Sequence, residues 1–375
     1  MQSRAYQKKA TKQQKISRQS LNKRNIHLIY AISVLLSQIR RLIEDSHLVN
    51  VVFSSILSFQ CYILFATHSN EAQSTKGTDG QMLDTQTIFA RYQSIRPRLP
   101  EATFDATTRD IQSLLDIREE VDAFVFDAFG VLNVGEKPIP GAAARLDELR
   151  ASGHQIRILS NAASYDHQGA TAKFQMLGMQ VMADEIVTSR DAALANLNDV
   201  LWGCIATPTD DLKDIPAEVL RLDTDRADFD RVDGFLFLST QTWQEPQQKL
   251  LRESLVSNPR PVVIANADLA APRDFGFSLE PGYFGHLMAD DGLPDIRFFG
   301  KPFPEVFEIA EASLQGISPE RIAMCGDTLH TDILGAAARG WRTVLVTHDG
   351  MFAGHDAQAY CSSSLITPDW TTERI

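Results

Sequence analysis

Four short segments of this sequence put polar side chains where an apolar run stops. Asp127 ends AFVFD and Gly130 follows it, so a turn could hold the carboxylate out beyond a strand. Ser160 and Asn161 end QIRILSN, Lys301 stands in Gly-Lys-Pro, and Asp327 and Asp332 share the stretch GDTLHTD. Each has an ordinary explanation: a turn-capping acid, a helix-starting serine, a solvated turn lysine, loop acids that cap the next helix. In chain order, however, they form a candidate nucleophile, a hydroxyl, a lysine and paired acids, each read as following a strand of one sheet. A phosphate site needs only a local cation and a few backbone N–H groups, which such a set supplies.

The elements that must position them alternate. Residues 123–127, 155–160, 322–327 and 343–347 read as strands; residues 142–152, 166–177 and 333–339 read as helices, stopped by Gly153, Gly178 and Gly340. Strands alternating with helices of this length imply a parallel sheet covered on both faces. Ligands of such sheets bind beyond the carboxyl ends of the strands, where Asp127, Ser160 and Asp327 stand. The expected fold class is α/β, a three-layer Rossmann-like parallel sheet core. Between Ser160 and Lys301 lie 140 residues, more than one crossover needs, with strands of their own at 203–207, 234–239 and 261–265. Residues 187–291 therefore read as an inserted α/β domain over the site, with 82–186 and 292–375 forming the core. No repeat of fixed period is present.

The chain has 375 residues, 44% of them apolar, and a formal charge of -12, enough length and apolar content for two domains. The charge is unevenly spread: 11 Lys/Arg against 4 Asp/Glu precede Met82, and 25 against 44 follow from there. That acidic body argues against nucleic acid as a partner, because neutralising a phosphate backbone requires a basic face. Cys61, Cys204, Cys325 and Cys361 form no CxxC pair, which fits a reduced, cytoplasmic setting rather than a disulfide framework. Residues 1–81 read as an extension: basic and disordered to Arg24, then amphipathic through Leu28, Ile32, Leu35, Ile39 and Leu42. From Leu48 to Thr67 it runs 20 residues without Asp, Glu, Lys or Arg. That length could cross a bilayer. Three accounts stay open: an initiation codon set too far upstream, a membrane anchor that would tether the protein, or a helical pair packed on the body. Residues 69–80 serve as a linker in all three.

The ordered set resembles the haloacid dehalogenase-like (HAD) superfamily, in its class II, subclass A branch, which includes the NagD-type phosphatases. The matching text is DAFGVLNVGEKPIPGA (127–142), ILSNAAS (158–164), LGMQVMADEIVTS (177–189), FFGKPFPEVFEIA (298–310) and CGDTLHTDILGAAARG (325–340), within residues 122–349. The resemblance implies a cap of the C2 type in the insert and Mg²⁺ as cofactor. It implies Asp127 as covalent nucleophile, with Lys301 and Asp332 completing the catalytic set. Asp127, Asp327 and the backbone carbonyl of Phe129 would hold the metal. Ser160, Asn161 and, in the cap segment NADL, Asn266 and Asp268 would face the substrate. The implied partner is a small phosphorylated metabolite, with a second copy of the chain as candidate protein partner.

One position departs from the family pattern. Most phosphatases of this superfamily carry a second Asp two residues after the nucleophile, as general acid and base; here that residue is Phe129. A phenyl ring transfers no proton, and losing a positioned acid costs about 10²- to 10⁴-fold. The leading expectation is a phosphohydrolase. A non-catalytic module that binds a phosphorylated ligand is the second. A carbon–halogen hydrolase is the third, opposed by the short Asp127–Ser160 spacing and by the retained magnesium-type loop.

Overall fold

Four consecutive apolar residues, Ala123–Phe126, explain why the core sheet needs cover on both sides. Side chains alternate across a strand. Phe124 and Phe126 enter one apolar cluster with Ile156, Ile158, Ala323 and Cys325, whereas Ala123 and Val125 enter another with Leu159, Ile322 and Met324. The computed structural model describes residues 83–104, 107–274 and 276–375. The readings made for residues 1–82, including the amphipathic face, the uncharged run at 48–67, the linker and Cys61, lie outside the described residues. Among those described, no helix is long and apolar enough to cross a membrane.

The core sheet has seven strands: β1 (Arg109–Asp110), β2 (Ala123–Phe126), β5 (Gln155–Ser160), β6 (Ile186–Thr188), β14 (Ile322–Gly326), β15 (Arg342–Val346) and β16 (Trp370–Thr372). Their order is β1-β16-β15-β14-β2-β5-β6, with every pairing parallel. Helices Ala142–Ala151 and His167–Met176 carry Leu146, Leu149 and Phe174 into the first cluster; helix Pro304–Ser313 carries Val306, Phe307 and Ala310 into the second. This is the three-layer α/β core. A short antiparallel hairpin, β3 (Asn133–Val134) with β4 (Lys137–Pro138), follows the turn after Asp127.

The chain leaves the core after β6 and builds a second parallel sheet. It contains β7 (Trp202–Ile205), β8 (Val219–Arg221), β9 (Gly234–Phe237), β10 (Val262–Ile264) and β13 (Ile296–Phe298), in the order β13-β10-β9-β7-β8. An antiparallel hairpin, β11 (Ala270–Arg273) with β12 (Gly276–Leu279), stands beside it. Two findings differ from the sequence reading. The second sheet runs on to Phe298, past residue 291, because β13 pairs with β10. Consequently Lys301 follows a strand of this second sheet, not one of the core sheet.

The two sheets share apolar contacts, since Trp202, Cys204, Leu236 and Val263 lie in the same cluster as Val125 and Leu159. A buried ion cluster also ties them together. Arg190, 1% exposed, stands in helix Ser189–Leu194 just after β6. It meets Asp210 at 2.5 Å and Asp214 at 2.6 Å in the loop after β7, and donates to the Ala163 carbonyl at 3.0 Å. Asp210 is only 4% exposed at its side chain, so removing the guanidinium would strand a buried charge. Arg190→Met should therefore cost about 3–5 kcal/mol in urea unfolding. Adding Asp210→Asn and Asp214→Asn should recover a large part of that. A loss under about 1 kcal/mol would show that the cluster behaves like an exposed pair.

Candidate functional site

Parallel pairing fixes where the acids arrive. Phe126 lies beside Cys325 in the β2–β14 register, and Asp127 N–H continues the ladder to the Cys325 carbonyl at 2.9 Å. Asp127 and Asp327 are thus each one residue past the end of their strands, which are neighbours. Asp332 returns to the same place through a π-helical turn, Leu329–Ile333, which buries it completely. Carboxylate oxygens of Asp127, Asp327 and Asp332 lie within 4.8 Å of one another. Gly130, at φ +79°, is required here: a Cβ would run into the Asp327 carboxylate.

Lys301 completes the cluster from the insert side. Its ammonium, 1% exposed, stands 2.6 Å from Asp127 Oδ1 and 2.7 Å from Asp332 Oδ1. Asn161 fixes its backbone, accepting from Lys301 N–H at 2.7 Å and donating to the Lys301 carbonyl at 2.9 Å. Gly300, at φ +101°, lets the strands come this close, since a Cβ there would stand 2.5 Å from Asn161 Oδ1. The same Asn161 amide donates to Asp268 at 2.8 Å, bringing the NADL segment of the insert onto the site.

The electrostatics are those of crowded acids. Burial pushes the Asp127 carboxyl up to about 6, against the pull of Lys301 and with the repulsion of Asp332. Burial, then repulsion from Asp127 and Asp332, pushes Asp327 well above the usual carboxylate range, although Met351 N–H at 2.7 Å and the Thr328 hydroxyl at 2.9 Å donate to it. Asp268 is raised as well, first by burial. On Lys301, burial is outweighed by Asp127, Asp332 and Asp268, which hold its ammonium above the ordinary range. Four carboxylates gathered about one ammonium leave excess negative charge in a buried place. A hard divalent cation with oxygen ligands fits that donor set.

Not every residue named from the sequence joins the cluster. Ser160 is buried at the end of β5, and its hydroxyl accepts from Ala162 N–H at 3.2 Å, within its own loop. Asn266 does not reach the acids; it donates to Glu280 at 3.2 Å and accepts from Asp268 N–H at 2.9 Å, shaping the loop that presents Asp268. Phe129 sits on the turn after Asp127, with the Lys173 ammonium and the Arg273 guanidinium both close to its ring.

The sequence reading missed a helix that touches three loops of the site. Thr85–Ile95 precedes the core, and Ile88, Tyr92 and Ile95 bury its apolar face. Thr85 donates to the carbonyl of Met351, the residue whose N–H holds Asp327. The Tyr92 ring stacks on His330, between Asp327 and Asp332, at 5.0 Å, and Gln93 bonds the same imidazole at 2.9 Å. Burial keeps His330 neutral by pulling it down to about 3. The Tyr92 hydroxyl accepts from Leu269 N–H at 3.1 Å, next to Asp268. The spacing of its apolar residues was visible; its target was not. Tyr92→Phe should speed amide exchange in the peptide carrying Leu269 by about tenfold, the size of one net hydrogen bond, with thermal unfolding little changed. Unchanged exchange there would show that Tyr92 does not restrain the loop.

A family model described as haloacid dehalogenase-like hydrolase matches residues 124–203, and a HAD-hydrolase-like model matches residues 298–372. The chain is 32% identical over 93 residues to the chloroplastic phosphoglycolate phosphatase 1A of Arabidopsis thaliana, covering 25% of this chain and only 26% of that relative. Chronophin of Rattus norvegicus is 28% identical over 277 residues, covering 70% of this chain and 88% of its own. The fold is shared with a possible sugar phosphatase from Cytophaga hutchinsonii (TM-score 0.64, 24% identity, 71% of this chain and 98% of that one). It is also shared with NagD from E. coli (TM-score 0.53, 20% identity, 68% and 96%). Haloacid dehalogenase-like hydrolase models thus match the core segments on both sides of the insert, and the chain shares its fold with NagD.

Proposed function

We propose that this chain is a magnesium-dependent phosphohydrolase of small phosphate esters, acting through an aspartyl phosphate on Asp127. The observation that carries the reading is the buried Lys301 ammonium, 2.6 Å from Asp127 and 2.7 Å from Asp332, beside the three-carboxylate cluster. The phosphatase name of the Arabidopsis thaliana relative supports the reaction class. Asp127 attacks phosphorus as the ester P–O bond breaks, and water then attacks the aspartyl phosphate and frees the carboxylate. Asp127, Asp327 and the Phe129 carbonyl would hold Mg²⁺, which when bound offsets charge on the transferring group. Lys301 supplies the fixed positive charge there, and Asp332, with Asn161, keeps it aimed. Ser160 and the amides near Asn161 grip phosphate oxygens. Asp268 closes the site from the insert, which acts as the cap, and Asn266 holds its loop.

The dehalogenase alternative loses ground, because the chain enters the insert after β6 rather than between Asp127 and Ser160. A binding module would rest on Phe129 alone.

The test is turnover of a panel of alkyl and aryl phosphates with and without Mg²⁺. Turnover should require the metal, and Asp127→Asn should abolish it, because an amide is a poor nucleophile and a poor magnesium ligand. Wild-type rates in that variant would overturn the covalent mechanism. Tight binding of phosphorylated ligands without any turnover would instead make the chain a binding module.

Phe129→Asp probes the missing acid. The new carboxylate would meet Lys173 and Arg273, so the variant should stay folded. Those cations would also keep it ionised, able to accept a proton but reluctant to give one. Turnover of alkyl phosphates should therefore rise by less than the roughly 10²-fold that a well-tuned acid supplies. A gain at or above that level would show that proton donation alone limits the wild-type protein.

A further inference from the structure

The surroundings of Phe129 hold two cations that the reaction above does not use. Lys173 comes from helix His167–Met176 of the core, and its ammonium stands 4.3 Å from the Phe129 ring centroid. Arg273 comes from β11 in the insert, and its guanidinium carbon stands 4.8 Å from the same centroid. Lys173 is 7% exposed, yet its nearest carboxylate, Glu136, is 3.7 Å away with a side chain 58% exposed. Arg273 is held in place by Ser278 at 2.8 Å and Glu280 at 3.0 Å. The hairpins on either side meet through Lys137 and Asp274 at 2.6 Å, so core and insert close together at this point.

Bringing two like charges to one ring costs energy; Glu280 offsets that for Arg273, whereas the largely buried Lys173 has the exposed Glu136 carboxylate and, at 5.7 Å, the Tyr165 ring. The ring face repays part of that cost through cation–π attraction. An anion placed between core and insert would repay the rest. Phe129 is two residues beyond Asp127, so the two cations at its ring flank the turn that carries the nucleophile.

We infer that Lys173 and Arg273 form a subsite for a second anionic group on the substrate, a carboxylate or phosphate carried by the leaving alcohol. This rests on the phosphohydrolase reading and narrows it to doubly anionic esters. Arg273 reaches the ring only from the insert, so such a substrate is held by core and insert together. Arginine suits a planar or tetrahedral oxyanion through its forked donors, while lysine adds a point charge.

The experiment separates this inference from catalysis by using phosphonates, which bind without being hydrolysed. Propylphosphonate, 3-phosphonopropanoate and propane-1,3-bisphosphonate would be titrated calorimetrically into the full chain with Mg²⁺. The two doubly anionic probes should bind at least about tenfold tighter than propylphosphonate, the scale of one charge-assisted hydrogen bond. Lys173→Gln and Arg273→Gln should each reduce that ratio several-fold, and Lys173→Arg should restore part of it. A general loss of structure weakens all three ligands alike and leaves the ratio unchanged, so an unchanged ratio in both Gln variants overturns the subsite. Equal affinity of the wild-type protein for all three overturns it as well. Discrimination that persists in a protein turning over no ester would sink the catalytic reading and leave the subsite standing.

Discussion

A single buried ammonium organises this molecule. Lys301 is 1% exposed and lies between Asp127 and Asp332, with Asp327 beside them. Neither side of that arrangement is stable alone. An unpaired buried lysine would lose its proton, and the acids without it would be protonated or forced apart. The surrounding backbone serves this charge set: neighbouring parallel strands deliver Asp127 and Asp327, a π-helical turn returns Asp332, and Asn161 clamps Lys301 through both its N–H and its carbonyl.

Because Lys301 follows β13, the key cation is delivered by the end of the insert while the acids come from the core. Core and insert therefore cannot be treated as scaffold and accessory. Asn161, at the end of β5, spans the division by bonding Lys301 and Asp268 at once. Arg190 spans it again on another side, and Tyr92 joins the Asp268 loop to the Asp327–Asp332 loop. Each bond is modest, but all restrain the same relative placement. A site of this kind loses activity through small displacements as readily as through loss of a reacting group.

Much of this was legible in the sequence, for identifiable reasons. The core strands announce themselves as short apolar runs stopped by glycines and acids. Because ligand sites of parallel sheets lie at the strand ends, Asp127 and Asp327 could be placed before any coordinates. The converse holds for groups whose partners are remote. Tyr92 bonds a residue 177 positions away, and no local pattern states that. Lys173 reads as an ordinary helix lysine until Phe129 is found beneath it. The β11–β12 hairpin was hidden because Pro272 and Gly276 suggest a loop; a two-stranded ribbon tolerates both, having no central strand to interrupt. Asn266 shows the opposite limit. Its residue type suits ligand contact, but its amide bonds Glu280 and the Asp268 N–H.

The replacement of an acid by Phe129 makes sense as a choice of charge rather than a plain loss. The reacting centre is already rich in carboxylates, and burial raises Asp127, Asp268 and Asp327 together. Another acid on that turn would add repulsion to the set unless a cation neutralised it. A phenyl ring adds none, and its face attracts Lys173 from the core and Arg273 from the insert. Negative charge gathers at Asp127 and suits a bound cation, while Lys173 and Arg273, beside Glu136 and Glu280, hold cationic donors at the ring. On the proposed reading, a proton relay would give way to an electrostatic clamp. Such a clamp would favour substrates bearing charge on their leaving side, because forked and point cations both suit an oxyanion.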